Sequence, residues 1–432
     1  MYTIRFNTNH EMNVLVNKNL YNVIGETVEV YIGAFKQRLD VKIDESLERD
    51  TISIPSKYKN TFLLPKDIPY EVKISKERII IGPLIGILGC RRKQALTQEL
   101  LDLLLLRFEE YESINGLVYV FTEDSVDPYK QWIKGYYYQP ILKKWKKGIF
   151  PYPHSIIVNK DSMSFDMYHH FISFIGHTIF YSRQLSKWTQ HEMISKDEKL
   201  RNFVPPTIKL TKFKSLLSML KQYGAVYLKP NQSYQGMGMY FIQKRNKVYY
   251  VKDEFSNSYV FHSTVQLNHF IKKRTGKINY LIQKSVAFQS KNRNVDFRVY
   301  LQKNREKNWV CSGITSRISK EGSIITNSRN RDRLLVADEG FSYYYSLDDE
   351  KSQDIQASMI HACTRIATLI EGNGIHLADL AFDIIVDSDL KVWVLELQGG
   401  YSLERKKHEI PPNIFSKLTL TPFQYAKTLA GF

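Results

Sequence analysis

The hydrophobic rhythm of the chain changes twice. Up to residue 79, short apolar–polar alternations are separated by turn residues: Thr3 to Phe6, Thr27 to Ile32, Thr51 to Ile54 and Tyr70 to Ile74, with Pro55, Pro65 and Pro69 between them. A period of two with frequent breaks predicts a small β-rich domain over 1–79. From Ile79 to Leu88 the apolar residues form one run, the mark of a strand buried on both faces. Ala95 to Tyr111 follows with Leu96, Leu100, Leu103, Leu104 and Phe108 on one helical side, and Leu117 to Phe121 is a second buried strand. Strand, helix and strand at this spacing predict a βαβ unit. With Ser155 to Val158 as a further strand, 80–185 reads as an α/β domain. Gly82, Gly86 and Gly89 sit in and after the first strand, but no GxGxxG opens a helix, so no dinucleotide site is expected.

Beyond residue 186 the pattern shifts again. Helices are expected at Lys196 to Asn202 and Phe213 to Tyr223, then a ladder of Ala225 to Lys229, Met239 to Arg245 and Val248 to Lys252. Strands at Asp296 to Gln302 and Trp309 to Thr315 precede a helix over 352–371 and a hairpin of Ala381 to Val386 with Val392 to Leu397. The fold class expected is α/β with α+β lobes.

The hairpin carries the most pointed chemistry. Folding back at Asp387-Ser388-Asp389 can bring Asp383 opposite Glu396, both within otherwise apolar strands. Ionised carboxylates are costly to bury unless paired or bound to a cation. A hard divalent cation with nucleotide phosphates resolves that cost. Gln398, two residues on, emerges on the same face as Glu396. The alternatives are a solvent-facing side, or pairing with Arg and Lys. Lys229 ends a strand before a loop containing Gly236 and Gly238, where backbone N–H groups could approach phosphate. It lacks the Walker GKS or GKT, and a plain β-hairpin explains such a loop more often than not. Tyr280 to Val286 is an apolar strand running into polar Gln283 and Lys284. Arg298, Arg317 and Asn327 follow. Arginine suits polyphosphate because its planar fork bonds two oxygens at once; structural ion pairing is the alternative for each.

Composition narrows the classes. The 432 residues are 43% apolar, with 28 Tyr and 23 Phe, so sizeable cores in several domains are expected rather than disorder. The net charge of +17 favours anionic partners. Lys143-Lys144-Trp145-Lys146-Lys147 is the one local basic cluster, read as a solvated helix face. Without a recognisable module or basic stripe, nucleic acid is not the expected partner. The greasiest stretch, Arg78 to Cys90, falls short of the roughly 20 residues of a bilayer span, so no membrane partner is expected. The start lacks a secretory h-region, and the three cysteines show no metal or disulfide spacing, so a cytoplasmic location is expected.

Taken in order, Lys187, Lys229, the glycine loop, Gln283-Lys284, Asp296 and Arg298, Arg317, Asn327, Asp383 and Glu396 resemble the ATP-grasp superfamily over 187–410. Ile85-Gly86-Ile87-Leu88, Pro205-Pro206-Thr207, Asp296-Phe297-Arg298-Val299, Ser316-Arg317-Ile318, Thr326-Asn327 and Trp393-Val394-Leu395-Glu396 most resemble the endospore coat-associated YheC/YheD family. The resemblance implies a small β-rich domain at 1–79, an α/β pre-ATP-grasp domain at 80–185, and two ATP-grasp lobes at 186–284 and 285–432. It implies an ATP-dependent carboxylate–amine ligase that forms an acyl-phosphate, using Mg²⁺ or, in its place, Mn²⁺, and an association with the spore. A non-catalytic ATP-binding scaffold is the alternative. Lys187 and Lys229 would hold the α- and β-phosphates. Gln235, Gly236, Met237 and Gly238 would cover the triphosphate, with Asn327 nearby. Gln283, Lys284 and Val286 would line the adenine. Arg298 and Arg317 would meet the γ-phosphate or acyl-phosphate, and Asp383, Glu396 and Gln398 would hold the metal. Two departures stand out: Gln398 replaces the usual Asn, and Ser328 to Arg333 replaces a glycine pair. The substrate expected is an amino acid or an acidic peptide or protein, the basic balance and the segment 329–333 pointing to an acidic peptide or protein tail.

Overall fold

A computed structural model describes residues 2–7, 12–159, 163–180, 185–232, 236–276, 278–399, 401 and 409–432. Four sheets succeed one another along the chain. The first has seven strands in the spatial order Thr3–Phe6, Thr51–Ile54, Val14–Val16, Phe35–Ile43, Thr27–Ile32, Arg78–Gly82 and Glu71–Ser75. Val14–Val16 and Phe35–Ile43 are not conspicuous in the sequence: one is only three residues long, the other crowded with Lys and Arg.

The apolar run from Ile79 to Leu88 is not one strand. It breaks at the cis Gly82–Pro83 bond into Arg78–Gly82, in the first sheet, and Leu84–Cys90, in the second. Proline has no N–H for a ladder, so the break falls there. The two sheets nevertheless share a continuous core that includes Ile52, Ile81, Leu84, Phe121 and Ile156. The second sheet runs Lys144–Pro151, Trp132–Gln139, Leu117–Asp127, Leu84–Cys90, Ser155–Val158 and Ile179–Phe180, the last four parallel. Its βαβ helix is shorter than the leucine pattern suggests: Gln98–Leu105, capped by Thr97, with 3₁₀ turns on either side. The lysine cluster 143–147 is not helical. It enters the strand Lys144–Pro151, where Trp145 faces Tyr138 across the ladder.

The third sheet is antiparallel, in the order Thr207–Lys209, Tyr280–Lys284, Ala225–Pro230, Tyr240–Arg245, Val248–Asp253 and Ser258–Phe261. Helices Phe213–Tyr223 and Thr264–Thr275 cover its apolar face through Leu216, Leu220, Leu267 and Ile271. The helix expected at Lys196 to Asn202 lies earlier, at Lys187–Lys196. Ser186 caps it, and Asp197 Oδ1 then accepts from the Lys199 and Leu200 amides and turns the chain away.

The fourth sheet is also antiparallel: Arg331–Val336, Trp309–Ser319, Arg293–Lys303, Asp379–Val386 and Val392–Gly399, with Phe288–Ser290 beside the third. Strand Arg293–Lys303 alternates strictly. Val295, Phe297, Val299 and Leu301 join the core with helix Asp349–Glu371 through Met359, Cys363 and Ile366. Asp296, Arg298, Tyr300 and Gln302 therefore face the other way. Part of that second face is closed by the final helix Pro412–Leu429, whose Ile414, Phe415 and Leu418 pack on Tyr300 and Ala381. The far end of this helix docks on the second sheet, where Ser155 Oγ donates to the Ala426 carbonyl at 2.9 Å. Among the described residues, no helix is long and apolar enough to cross a membrane.

Candidate functional site

A cleft opens where the third and fourth sheets meet helix Lys187–Lys196. Lys187, Gln190, His191, Thr207, Lys229, Gln283, Leu395 and Glu396 are among its walls, and about 450 Å³ of space lies within it, open mouth included. It mixes apolar wall with a few convergent polar groups, the usual make-up of a ligand site. A second hollow lies in the second sheet, bordered by Lys93, Lys134 and Lys147, away from the carboxylates described next.

The carboxylates meet as the turn predicts, with one refinement. Asp387 accepts amide hydrogen bonds from Asp389 and Lys391 and closes the hairpin. Val386 then pairs with Val392 and Ile384 with Val394, a register that would place Leu395 opposite Asp383. A bulge at this point brings Glu396 there instead. Asp383 is fully engaged. Its Oδ1 accepts from Arg298 Nε at 2.8 Å and lies 3.1 Å from Arg317 Nη1; its Oδ2 accepts from Arg298 Nη2 at 3.1 Å and Gln398 Nε2 at 3.2 Å. Burial alone would raise its pKa. Arg298, then Arg317, override that and hold it at about 2. Arg317 also forks onto Asp296, at 2.7 and 2.8 Å, and Thr326 Oγ1 donates to the same carboxylate. Burial would lower the Arg317 pKa, but Asp296 and Asp383 together raise it.

The lysines approach from the other side. Lys187, in the first turn of its helix, donates to Glu396 Oε1 at 3.0 Å. Lys229 is 9% exposed and donates to Gln283 Oε1 at 2.5 Å, while Gln283 Nε2 donates to Thr207 Oγ1. The amide thus aims the ammonium into the cleft. Burial lowers the Lys229 pKa to about 8, with Lys187 pushing the same way and Glu396, Asp383 and Asp296 opposing. His191 in the cleft wall is also lowered by burial.

Not every candidate converges here. Lys284 lies on the opposite face from Gln283, with its ammonium over the Tyr223 and Trp393 rings. Val286 is buried just past the strand end. Gln235 lies outside the described residues. Gly236 and Gly238 both have positive φ, and a Cβ on Gly236 would fall 2.8 Å from Ile325 and 3.3 Å from the Asn327 amide. The loop therefore rests on the segment before and at Asn327. Gly238 N–H is held by Glu254 and its carbonyl by Tyr280, while Met237 stays exposed. Asn327 Oδ1 accepts from the Arg329 and Asn330 amides and shapes the turn that follows it.

Gln190 went unnoticed in the sequence. Buried, it donates to the Leu397 carbonyl and accepts from the Leu397 amide, fastening the Lys187 helix to the carboxylate strand. No local pattern marks a lone glutamine for that task. Thr326 and Thr207, named only within short motifs, reach Asp296 and Gln283 across long stretches of sequence.

The sequence profile of the YheC/D-like ATP-grasp family matches residues 176–429, more than half of the chain. The chain belongs to that family. It is 25% identical over 419 residues to the endospore coat-associated protein YheD of Bacillus subtilis (strain 168), covering 88% of this chain and 86% of YheD. It is 22% identical over 224 residues to the endospore coat-associated protein YheC of the same organism, covering 49% of this chain and 59% of YheC. Among solved structures it resembles the VanG D-Ala:D-Ser ligase of Enterococcus faecalis, with a TM-score of 0.46 and 11% identity over 81% of this chain and 98% of that one. The ATP-grasp match spans the third and fourth sheets, the cleft between them and the final helix.

Proposed function

We propose that this chain is an ATP-dependent carboxylate–amine ligase. One observation carries the reading: two lysines, two arginines and three carboxylates converge where the third and fourth sheets face each other. In the reaction, a substrate carboxylate oxygen attacks the γ-phosphorus of ATP and ADP leaves. The resulting acyl-phosphate is then attacked by an amine, phosphate leaves, the amine loses a proton and an amide remains. No protein nucleophile is needed. Positioning and charge stabilisation dominate phosphoryl transfer.

Lys229 and Lys187 are suited to the α- and β-phosphates, and Arg298 and Arg317 to the γ-phosphate and acyl-phosphate. The glycine loop is suited to covering the triphosphate. Glu396, Asp383 and Asp296 pair with Lys187, Arg298 and Arg317, while Lys229 donates to Gln283. ATP binding then amounts to an exchange, in which phosphate oxygens take over cations that carboxylates now hold.

The same exchange frees oxygens for Mg²⁺. This ion takes oxygen ligands and needs only one or two carboxylates, with water and phosphate supplying the rest. Asp383 and Glu396 sit opposite each other, and Gln398 presents Oε1 beside them, now bonded to Arg298 Nη2 at 3.2 Å. The donor set fits. Asp383, Glu396 and Gln398 would hold the ion, which when bound offsets charge developing on phosphate oxygens. Among the described residues, no group of three His, Cys, Asp or Glu forms a cage on its own.

The acid is an amino acid or an acidic peptide, given the +17 balance, and the names of the relatives favour an association with the spore. The test is ADP release from ATP and Mg²⁺ over a panel of amino acids and acidic peptides, with mass spectrometry of the product. An amide product with matching ADP supports the reading. The second reading is a nucleotide-binding scaffold, favoured by the completeness with which Arg298, Arg317 and Gln398 occupy Asp383. Tight ATP binding with no ADP across the panel would select it.

A further inference from the structure

One buried cation in the fourth sheet is left half used. Arg331 opens the strand Arg331–Val336, and its side chain is 6% exposed. Its Nη2 donates to the Glu409 carboxylate. Its Nη1 is buried and, among the described residues, has no hydrogen-bond partner. Leaving such a donor unsatisfied forfeits its hydration without return, so an orphan of this kind needs a reason.

The neighbourhood supplies one. Burial disfavours the charge on Arg331, and Arg317 and Arg298 add to that while Glu409 opposes it. Arg298 and Arg317 each have a buried carboxylate forked onto them. Among the described residues Arg331 has only Glu409, whose side chain is 48% exposed. An exposed counter-ion held by one nitrogen is the contact in this cluster most readily displaced. A carboxylate from outside could take both nitrogens in a planar fork, a stronger bond than the single one it replaces.

We propose that Arg331 is the docking point for a second, non-reacting carboxylate of the acid substrate, with Glu409 as its ligand-free stand-in. Building on the ligase reading of the neighbouring site, this makes the preferred acid one with at least two carboxylates. Free glutamate and a glutamate-rich peptide share that chemistry. Arg331 is a specificity-determining residue in this scheme, and Glu409 is a competitor rather than a binder.

The test is calorimetric titration of L-glutamate, hexaglutamate and hexaglutamine into the full chain, with and without a non-hydrolysable ATP analogue and Mg²⁺. The expected result is binding of at least one carboxylate ligand and not of hexaglutamine. Which of the two binds more tightly distinguishes an amino-acid substrate from a peptide. Arg331→Gln should weaken binding about tenfold or more, and Arg331→Lys, which keeps the charge without the fork, by less. Glu409→Gln should tighten binding several-fold, because the competitor is gone. Analogue affinity should stay within about twofold in every variant. No binding of either carboxylate ligand, an unchanged Arg331→Gln, or weakening in Glu409→Gln would each overturn the proposal. Glu409 is half exposed, so that variant still tests the proposal if Arg331→Gln fails to fold. If the analogue fails to bind the unmodified chain, the ATP reading falls instead, while the titrations without it still decide Arg331.

Discussion

The two faces of the fourth sheet are built from the same strands and share almost nothing else. Val295, Phe297, Val299 and Leu301 meet a helix and exclude water. Asp296 and Arg298, interleaved with them, meet Arg317 and Asp383. The first face gains from non-directional burial, so many apolar residues would serve there. The second depends on direction and charge balance, so an isosteric amide is a large change. The sheet thus places an ion network at low dielectric by making its opposite face the core.

The contrast is sharpest at the carboxylates, where the largest effects are expected. Glu396→Gln should lower ADP release by about 10³-fold with little loss of stability, since Glu396 keeps 20% of its side chain exposed. Asp383→Asn should lose turnover as well, but should also destabilise the fold by about 3–5 kcal/mol, because it strands the buried Arg298 guanidinium and leaves Arg317 with Asp296 alone. ADP assays beside urea denaturation separate the two; full turnover in either variant would break the assignment. Phe297→Ala, one residue from Arg298, should cost about 3–5 kcal/mol of stability. ATP affinity of the folded molecules, measured by calorimetry well below the melting temperature, should be unchanged.

A smaller effect comes from pH. With a folded pKa of about 8 against its usual 10.5, Lys229 loses its charge as pH rises through about 8. ATP binding should weaken above that point, by at most about tenfold per pH unit, and Lys229→Arg should flatten the profile. Stability moves the other way. Between about 8 and 10.5 the unfolded chain holds more protons at this site, so its contribution rises with pH, and the full burial penalty applies below about 8. A flat binding profile would show that Lys229 is not a phosphate contact. Least affected should be Arg333, whose side chain is 59% exposed; Arg333→Ala should change stability by under about 0.5 kcal/mol and turnover little.

The two central strands of the fourth sheet were legible because alternation over many residues leaves few choices, and the hairpin because Asp387 makes its own turn, but the strands Arg331–Val336 and Phe288–Ser290 were not foreseen. Features that depend on contacts distant in sequence were hidden. The run from Ile79 to Leu88 is apolar throughout, and only the sheet assignment shows that it serves two sheets. The helix at Lys187 is weakly amphipathic and is fixed by Ser186, Asn231 and Gln190, not by a stripe. Lys284 carries the charge expected near a nucleotide, yet the strand's period of two turns it onto Tyr223 and Trp393. Asp383 and Glu396 were open between metal binding and ion pairing. The structure shows the pairing.

The bulge at Leu395 makes this strand a ruler. What brings Glu396 level with Asp383 is the number of residues counted back from the Asp387 turn, one more than an unbroken ladder allows. Side-chain identity at position 395 is secondary to that count. Losing the extra residue, whatever its type, would close the bulge and leave Glu396 opposite Asp383, whereas adding one would keep every strand and the whole apolar face while sliding Glu396 one step along the ladder. An insertion here would therefore reach the chemistry without passing through the core, whereas a relative one residue shorter in this strand could keep its second carboxylate in a ladder without the bulge.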